Sequence, residues 1–328
     1  MTVSLPWPWS APRTTDGTGR TRSDDDATLR DGLPGAVARS LVRAGRRLAT
    51  PSGLAGAAVE AAWVGTHLAL YPFGALARGD RRGGHGYGVE HLPPVQRGLL
   101  ISDVEAAGTP ILLVHGMVDN RSIFTLLSRG LRRRGFGCVL SINYSPLTTD
   151  VRTAAARLAE QVEELVAETG YERIHVVGHS LGGLIARYYV TRLGGDARVH
   201  TLVTLGTPHG GTCDAYVLPL RLGRQLRPDS ALMRELEEPA PGCMTRFVAY
   251  WSDIDPLVVP QEHGRITHPD LIAHNIPLQG VGHMSLPING SVVHGISTTL
   301  AHLAQDGSTR TAGVTQLETG RRSPSHRR

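Results

Sequence analysis

Cysteine is scarce in this chain and lysine is missing altogether. Only three cysteines, Cys138, Cys213 and Cys243, occur in 328 residues. Three cannot build a disulfide framework, so the fold must rest on a buried core. Cys138 lies in an apolar run and reads as a small core residue. Cys213 and Cys243 flank a stretch of irregular pattern and would pair only in an oxidising compartment; a free buried thiol is the expectation at each position. All 34 basic residues are arginine, a composition bias and not a binding signature. The net charge of +5 is unevenly spread: residues 1–50 carry +3, residues 304–328 carry +3, and the stretch between carries −1. The basicity therefore belongs to the tails, and a basic folded surface for nucleic acid is not indicated. The tails read as solvated, with contact to anionic lipid as the alternative.

Long hydrophobic runs are also wanting. The amino terminus lacks the basic-then-apolar layout of a secretory signal, so a cytoplasmic or membrane-peripheral location is expected. Residues 54–77 are Ala-rich and apolar, and arginines flank them on both sides. However, Glu60, Thr66, His67 and Pro72-Phe73-Gly74 interrupt the run, which falls short of the ~20 clean apolar residues of a spanning helix. A helix packed on the rest of the fold, or one in peripheral contact with a membrane, fits better. His263, His268 and His274 share a region with Glu262 and Asp270. No paired cysteine or helical His-x-x-x-His accompanies them, so no metal and no cofactor are expected.

What is present is a run of β-branched residues feeding Gly178-His179-Ser180-Leu181-Gly182, followed by an amphipathic helix pattern. Chance yields about 0.3 Gly-x-Ser-x-Gly matches in a chain this rich in glycine, so the context must carry the weight. The context is a short buried strand over 171–177, then Leu181, Leu184, Ile185, Tyr188 and Tyr189 at helical spacing. That is the layout of a nucleophile elbow, which pushes a strained serine hydroxyl outward. Gly178 and Gly182 let strand and helix come close, and the helix amino end beneath Ser180 offers unpaired N–H groups.

Strand and helix patterns alternate around this motif. Apolar strands are expected at 110–114, 137–144, 171–177, 199–205, 244–251 and 275–280, with helices at 121–134, after Asp150 as N-cap, from Leu181, and at 291–303. The chain thus reads as α/β, with a doubly wound, mostly parallel sheet covered on both faces. Four segments follow: an unstructured stretch over 1–35, a helical and loop extension over 36–107, a catalytic domain over 108–303 with a small cap insertion at about 212–243, and a basic tail over 304–328.

A serine hydroxyl needs a base, an orienting acid and donors for the developing oxyanion. On such a sheet the expected chain order is serine, acid, histidine. The loop after 244–251 offers Asp255, followed by Pro256 and an apolar run, with Asp253 as its rival. The loop after 275–280 offers His283 as base, with His294 in the last helix as its rival. The turn His115-Gly116-Met117 would aim the Met117 N–H at the site, paired with that of Leu181. Removing one such donor typically costs on the order of 3 kcal/mol in the transition state.

Together, Pro110–Gly116, Gly178–Gly183 and Leu205-Gly206-Thr207-Pro208-His209-Gly210-Gly211-Thr212 resemble the α/β-hydrolase superfamily, specifically bacterial triacylglycerol lipases and esterases. The similarity covers about residues 108–303, and the loops of Asp255 and His283 are similar to that family's acid and base segments. The resemblance implies a serine carboxylic-ester hydrolase acting on small-molecule or lipid esters through an acyl-enzyme, without a metal. The Gly-Thr-Pro-His-Gly-Gly segment resembles the family's loop beside the site, which makes His209 structural or site-shaping. An acyltransferase with the same triad and a non-catalytic lipid-binding protein of the same fold stand as alternatives.

Overall fold

Six short, mostly apolar runs become six parallel strands in the computed structural model, which describes residues 22–76, 104–117, 119–143, 150–218 and 221–301. They are β1 (Ile111–Val114), β2 (Val139–Ile142), β3 (Ile174–His179), β4 (Val199–Leu205), β5 (Arg246–Ser252) and β6 (Ile272–Leu278). Their spatial order is β2-β1-β3-β4-β5-β6, and every pair is parallel. The chain starts near the middle at β1, moves out to β2, then crosses back over β1 to β3. The switch point of the winding therefore lies between the carboxyl ends of β1 and β3, where open α/β sheets place their sites.

The described helices are α1 (Arg22–Leu48), α2 (Pro51–Leu76), α3 (Val104–Gly108), α4 (Thr125–Arg133), α5 (Val151–Thr169), α6 (Leu181–Arg192), α7 (Arg221–Gln225), α8 (Ala231–Leu236) and α9 (Gly290–Ala301). Strand side chains alternate between two cores. Leu112 and Val114 face α5 and α6 through Leu158, Val162, Leu184 and Ile185. Ile111 and Leu113 face α4 and α9 through Leu127, Leu131, Val292 and Ile296. Both faces of the sheet are thus covered, which is why the strands read as continuous apolar runs. Burying each such aliphatic side chain contributes about 1.5–3 kcal/mol.

Local chemistry sets the helix limits. The Asp150 carboxylate accepts hydrogen bonds from the N–H groups of Arg152 and Thr153 at 2.9 and 3.1 Å, opening α5. Gly170, at φ 74°, closes it in the left-handed region that disfavours a side chain. The expected cap at 212–243 folds as a turn of 3₁₀ helix over Cys213–Tyr216 followed by α7 and α8. Leu222, Leu232, Met233 and Leu236 seat it in the core beside α6. Arg152 and Tyr188 hold Glu235 of α8, and the buried Arg187 donates to the Leu236 carbonyl and the Glu237 carboxylate.

Several details differ from the sequence reading. The first helix begins at Arg22, inside the stretch expected to be unstructured over 1–35. The sheet is parallel as expected, at every strand pair among the described residues. β3 starts three residues later than expected and runs through His179, while β6 starts earlier, at Ile272. Its pattern was faint because β6 is an edge strand, partly exposed and carrying Pro277. All three cysteines are free; Cys243 is buried, but Cys138 and Cys213 are only partly so. Of the loop expected over 79–108, residues 104–108 form α3; the rest of it, the amino-terminal 21 residues and the basic tail lie outside the described residues.

Residues 54–76 of the apolar segment lie in α2, which packs against the α/β core. Trp63 joins the α4–α9 core, and Gly56 sits so near Gly280 that an added Cβ would lie 1.9 Å from its carbonyl oxygen. No described helix is long and apolar enough to cross a membrane.

Candidate active site

Ser180 sits between the last residue of β3 and the first of α6, with φ 53° and ψ −123°. Among the described residues it is the one non-glycine with positive φ. Holding such a backbone costs about 1–3 kcal/mol and requires tight surroundings. Those surroundings are glycine. A Cβ on Gly182 would lie 2.2 Å from the Val114 oxygen and 2.4 Å from that of His115. A Cβ on Gly178 would lie 2.5 Å from the Gly183 Cα. The Ser180 N–H donates to the Leu205 carbonyl at 2.8 Å, and the Thr207 hydroxyl donates to the Ser180 carbonyl at 3.0 Å. The elbow is thereby anchored to β4 and the loop that follows it.

Asp255 and His283 meet at the same place. The His283 Nδ1 lies 2.7 Å from Asp255 Oδ2, and both side chains are almost fully buried. The Leu257 and Val258 N–H groups donate to the other carboxylate oxygen, Oδ1, at 2.9 and 3.2 Å. The turn thus fixes one oxygen and leaves the other for the imidazole. Gly206, directly after the Leu205 that binds Ser180, ties the pieces together. A Cβ there would lie 2.9 Å from His283 Nδ1 and 3.0 Å from Asp255 Oδ2. A second tie runs through His179, next to Ser180 in the chain. Its Nε2 lies 3.1 Å from the His283 carbonyl, and the two rings lie 4.9 Å apart.

The rivals fall elsewhere. Asp253 accepts from the Gly280 N–H at 2.9 Å and pairs with Arg47 at 3.0 Å, away from the imidazole. His294 is exposed on α9. His209 is buried, with its Nε2 2.9 Å from the Thr204 hydroxyl. Desolvation, then the charge of Arg187, holds its pKa well below the ordinary value. His263 and His268 bond separately to the carbonyls of Gly211 and Glu238. No group of three metal-binding side chains occurs among the described residues.

Met117 lies in the turn after β1. The preceding Gly116 backs onto the serine, since a Cβ there would lie 3.0 Å from Ser180 Cβ. Leu181 opens α6, so its N–H belongs to the first helical turn, whose donors have no partner within the helix.

Electrostatics divide the two neighbouring imidazoles. Burial opposes the charged form of His283, but Asp255 outweighs it by charge and hydrogen bond, helped by Glu60 and Asp119, and the pKa is raised. Burial and the nearby His283 instead push His179 down to about 4. His179 therefore stays neutral beside a basic partner.

A family model described as the alpha/beta hydrolase fold matches residues 109–231. The fold is that of the α/β hydrolases. The matched span of the α/β hydrolase model holds the elbow and stops short of Asp255 and His283. Lipase 1 of Psychrobacter immobilis is 32% identical over 104 residues, 30% of this chain and 32% of that protein. A triacylglycerol lipase of Pseudarthrobacter phenanthrenivorans is 28% identical over 111 residues, 31% of this chain and 34% of that one. The aligned part thus spans about a third of the length of these curated relatives. Among solved structures, the mature form of Bacillus licheniformis lipase BlEst2 superposes with a TM-score of 0.51 at 18% identity, covering 60% of this chain and 92% of that one. Aspergillus fumigatus lipase B also gives 0.51, at 15% identity, covering 60% and 53%.

Sequence reasoning missed three residues that touch this candidate site: His179, Thr207 and Glu60. The first two lie inside motifs already singled out, at positions those motifs leave free. Glu60 stood out only as an interruption of an apolar run.

Proposed function

We propose that the protein is a serine carboxylic-ester hydrolase of the lipase and esterase type. Ser180 is the nucleophile, His283 the base and Asp255 the acid that orients it. One observation carries the proposal: a strained serine and a buried, 2.7 Å histidine–carboxylate pair both converge on the Leu205–Gly206 backbone.

In the first half-reaction the Ser180 oxygen attacks the ester carbonyl carbon while its proton passes to His283 Nε2. The Met117 and Leu181 N–H groups receive the oxyanion. Collapse breaks the bond to the alcohol, which leaves with the proton from His283, and the acyl group stays on Ser180. Water, deprotonated by the same imidazole, then attacks the acyl carbon. The fatty acid departs and Ser180 regains its proton. Asp255 holds the proton-bearing Nδ1 toward itself, so that Nε2 is the free acceptor, and it stabilises the imidazolium.

The names of the relatives, both lipases, favour acyl esters of lipid-like alcohols as substrates. The test is turnover of p-nitrophenyl esters of increasing chain length, below and above the onset of micelles. Wild-type enzyme should hydrolyse them, and Ser180→Ala should lose several orders of magnitude in kcat. Unchanged hydrolysis by Ser180→Ala would end the proposal.

A further inference from the structure

The loop that carries His283 runs from β6 through a turn into a short 3₁₀ helix at Leu286–Ile288, and its backbone is also pinned from outside. The two residues after the histidine, Met284 and Ser285, donate their N–H groups to Glu60 Oε1 at 2.6 Å and Oε2 at 2.8 Å. Glu60 belongs to α2, more than 200 positions earlier in the chain. The contact is tight. A Cβ on Gly282, the residue before His283, would lie 2.4 Å from the Glu60 carboxylate carbon. Two glycines, Gly56 and Gly282, are what let helix and loop approach this closely.

The same helical pair also grips the acid loop. Arg47, at the end of α1, pairs with Asp253 at 3.0 Å, and Asp253 in turn accepts from Gly280. Ser40 donates to Glu262 at 3.1 Å, and Arg43 also pairs with that carboxylate. A bidentate carboxylate on two consecutive amides restrains the backbone far more firmly than the exposed Arg47 pair, because charge-assisted bonds to N–H donors are the strong ones.

We infer that Glu60 is a positioning residue for the proposed reaction, and that α2 is part of the active site's scaffold through this one side chain. It fixes the Gly282–Ser285 backbone so that the imidazole stands between Ser180 and Asp255. It also adds a negative charge behind the ring. The inference rests on the hydrolase function proposed above. The groups facing His283 from the elements around it are Asp255 after β5, His179 at the end of β3, Asp119 after β1, and Glu60 on α2. Of these, only Glu60 comes from outside the catalytic domain.

Glu60→Gln keeps the shape but removes the charge and leaves one of the two amides without an oxygen acceptor. Measured per active site, by titration with a fluorophosphonate, kcat on a p-nitrophenyl ester should fall about tenfold to a hundredfold, as expected for a base displaced by a fraction of an ångström. The acid limb of the pH profile should move to lower pH, because a charge favouring the imidazolium is gone. Glu60→Asp, which keeps the charge, should return that limb toward its wild-type position. A folded Glu60→Gln enzyme with an unmoved acid limb, or with kcat per site unchanged, would overturn the inference. Should the variant fail to fold, hydrogen exchange on the wild-type protein decides. Protected Met284 and Ser285 amides support the contact, and exchange at the rate of an open loop overturns it. A wild-type chain that is never labelled at Ser180 defeats the hydrolase function instead, and the exchange measurement still reads the Glu60 contact.

Discussion

Replacing Asp255 with asparagine isolates the proposed role of the carboxylate while leaving the loop intact. The Leu257 and Val258 N–H groups donate to Oδ1, and an amide oxygen in that place can still accept both bonds. What changes is the face toward His283. At 2.7 Å, in a pair with about 2% side-chain exposure on each partner, water cannot substitute for the lost charge. An amide nitrogen facing Nδ1 donates where the carboxylate accepted. The imidazole then takes the tautomer with its proton on Nε2, the wrong atom to receive one from Ser180. In serine proteases built on the same triad logic this change lowers kcat about 10⁴-fold, or about 5.4 kcal/mol. The equal burial here argues for a loss of that size. Steady-state kinetics on a p-nitrophenyl ester, with folding checked by circular dichroism, gives the answer. A variant within about tenfold of wild type would refute the assignment of Asp255 and its hold on the tautomer.

Three further outcomes are expected. Gly182→Ala should destabilise the fold by about 3 kcal/mol in urea unfolding, because the new methyl meets backbone oxygens of Val114 and His115 that have no room to retreat. The pH dependence should carry opposite signs for rate and stability. His283 must be neutral to accept a proton, and its pKa is raised above 6.5, so kcat/KM should climb through an apparent pKa above 6.5. The stabilisation of its charged form is fully present below the unfolded value and lost as pH rises through the folded one, so Tm should fall over the range in which the rate climbs. Asp150→Ala should cost about 1–2 kcal/mol without touching kcat, because it removes the α5 cap and the 3.1 Å bond from Gln225.

Much of the sheet was written in the sequence because both of its faces are buried. Ile111–Val114 is apolar at every position, and Val199–Leu205 is buried throughout and mostly apolar, with His200, Thr201 and Thr204 interspersed; that leaves a strong local signal. The elbow was legible for a steric reason: only glycine fits at 178 and 182. Asp255 was singled out by the Pro256 and apolar run that follow it, with Asp253 as rival, and it is Asp255 that lies beside His283. The partners of Asp253, Gly280 and Arg47, were not legible, because they come from other parts of the chain. Glu60 was illegible because its partners are two backbone amides more than 200 positions away, and backbone donors leave no mark in a residue pattern. The start of α1 was missed because its residues look like those of a solvated segment.

The most direct test of the proposed chemistry is covalent. Treated with a fluorophosphonate, the intact protein should gain the mass of one phosphonyl group, and peptide mapping should place it on Ser180. Ser180→Ala should gain nothing, and Asp255→Asn should react far more slowly than wild type. A native, folded chain that stays unmodified, or one labelled equally well after Ser180→Ala, would show that the hydroxyl at the strained turn is not an activated nucleophile.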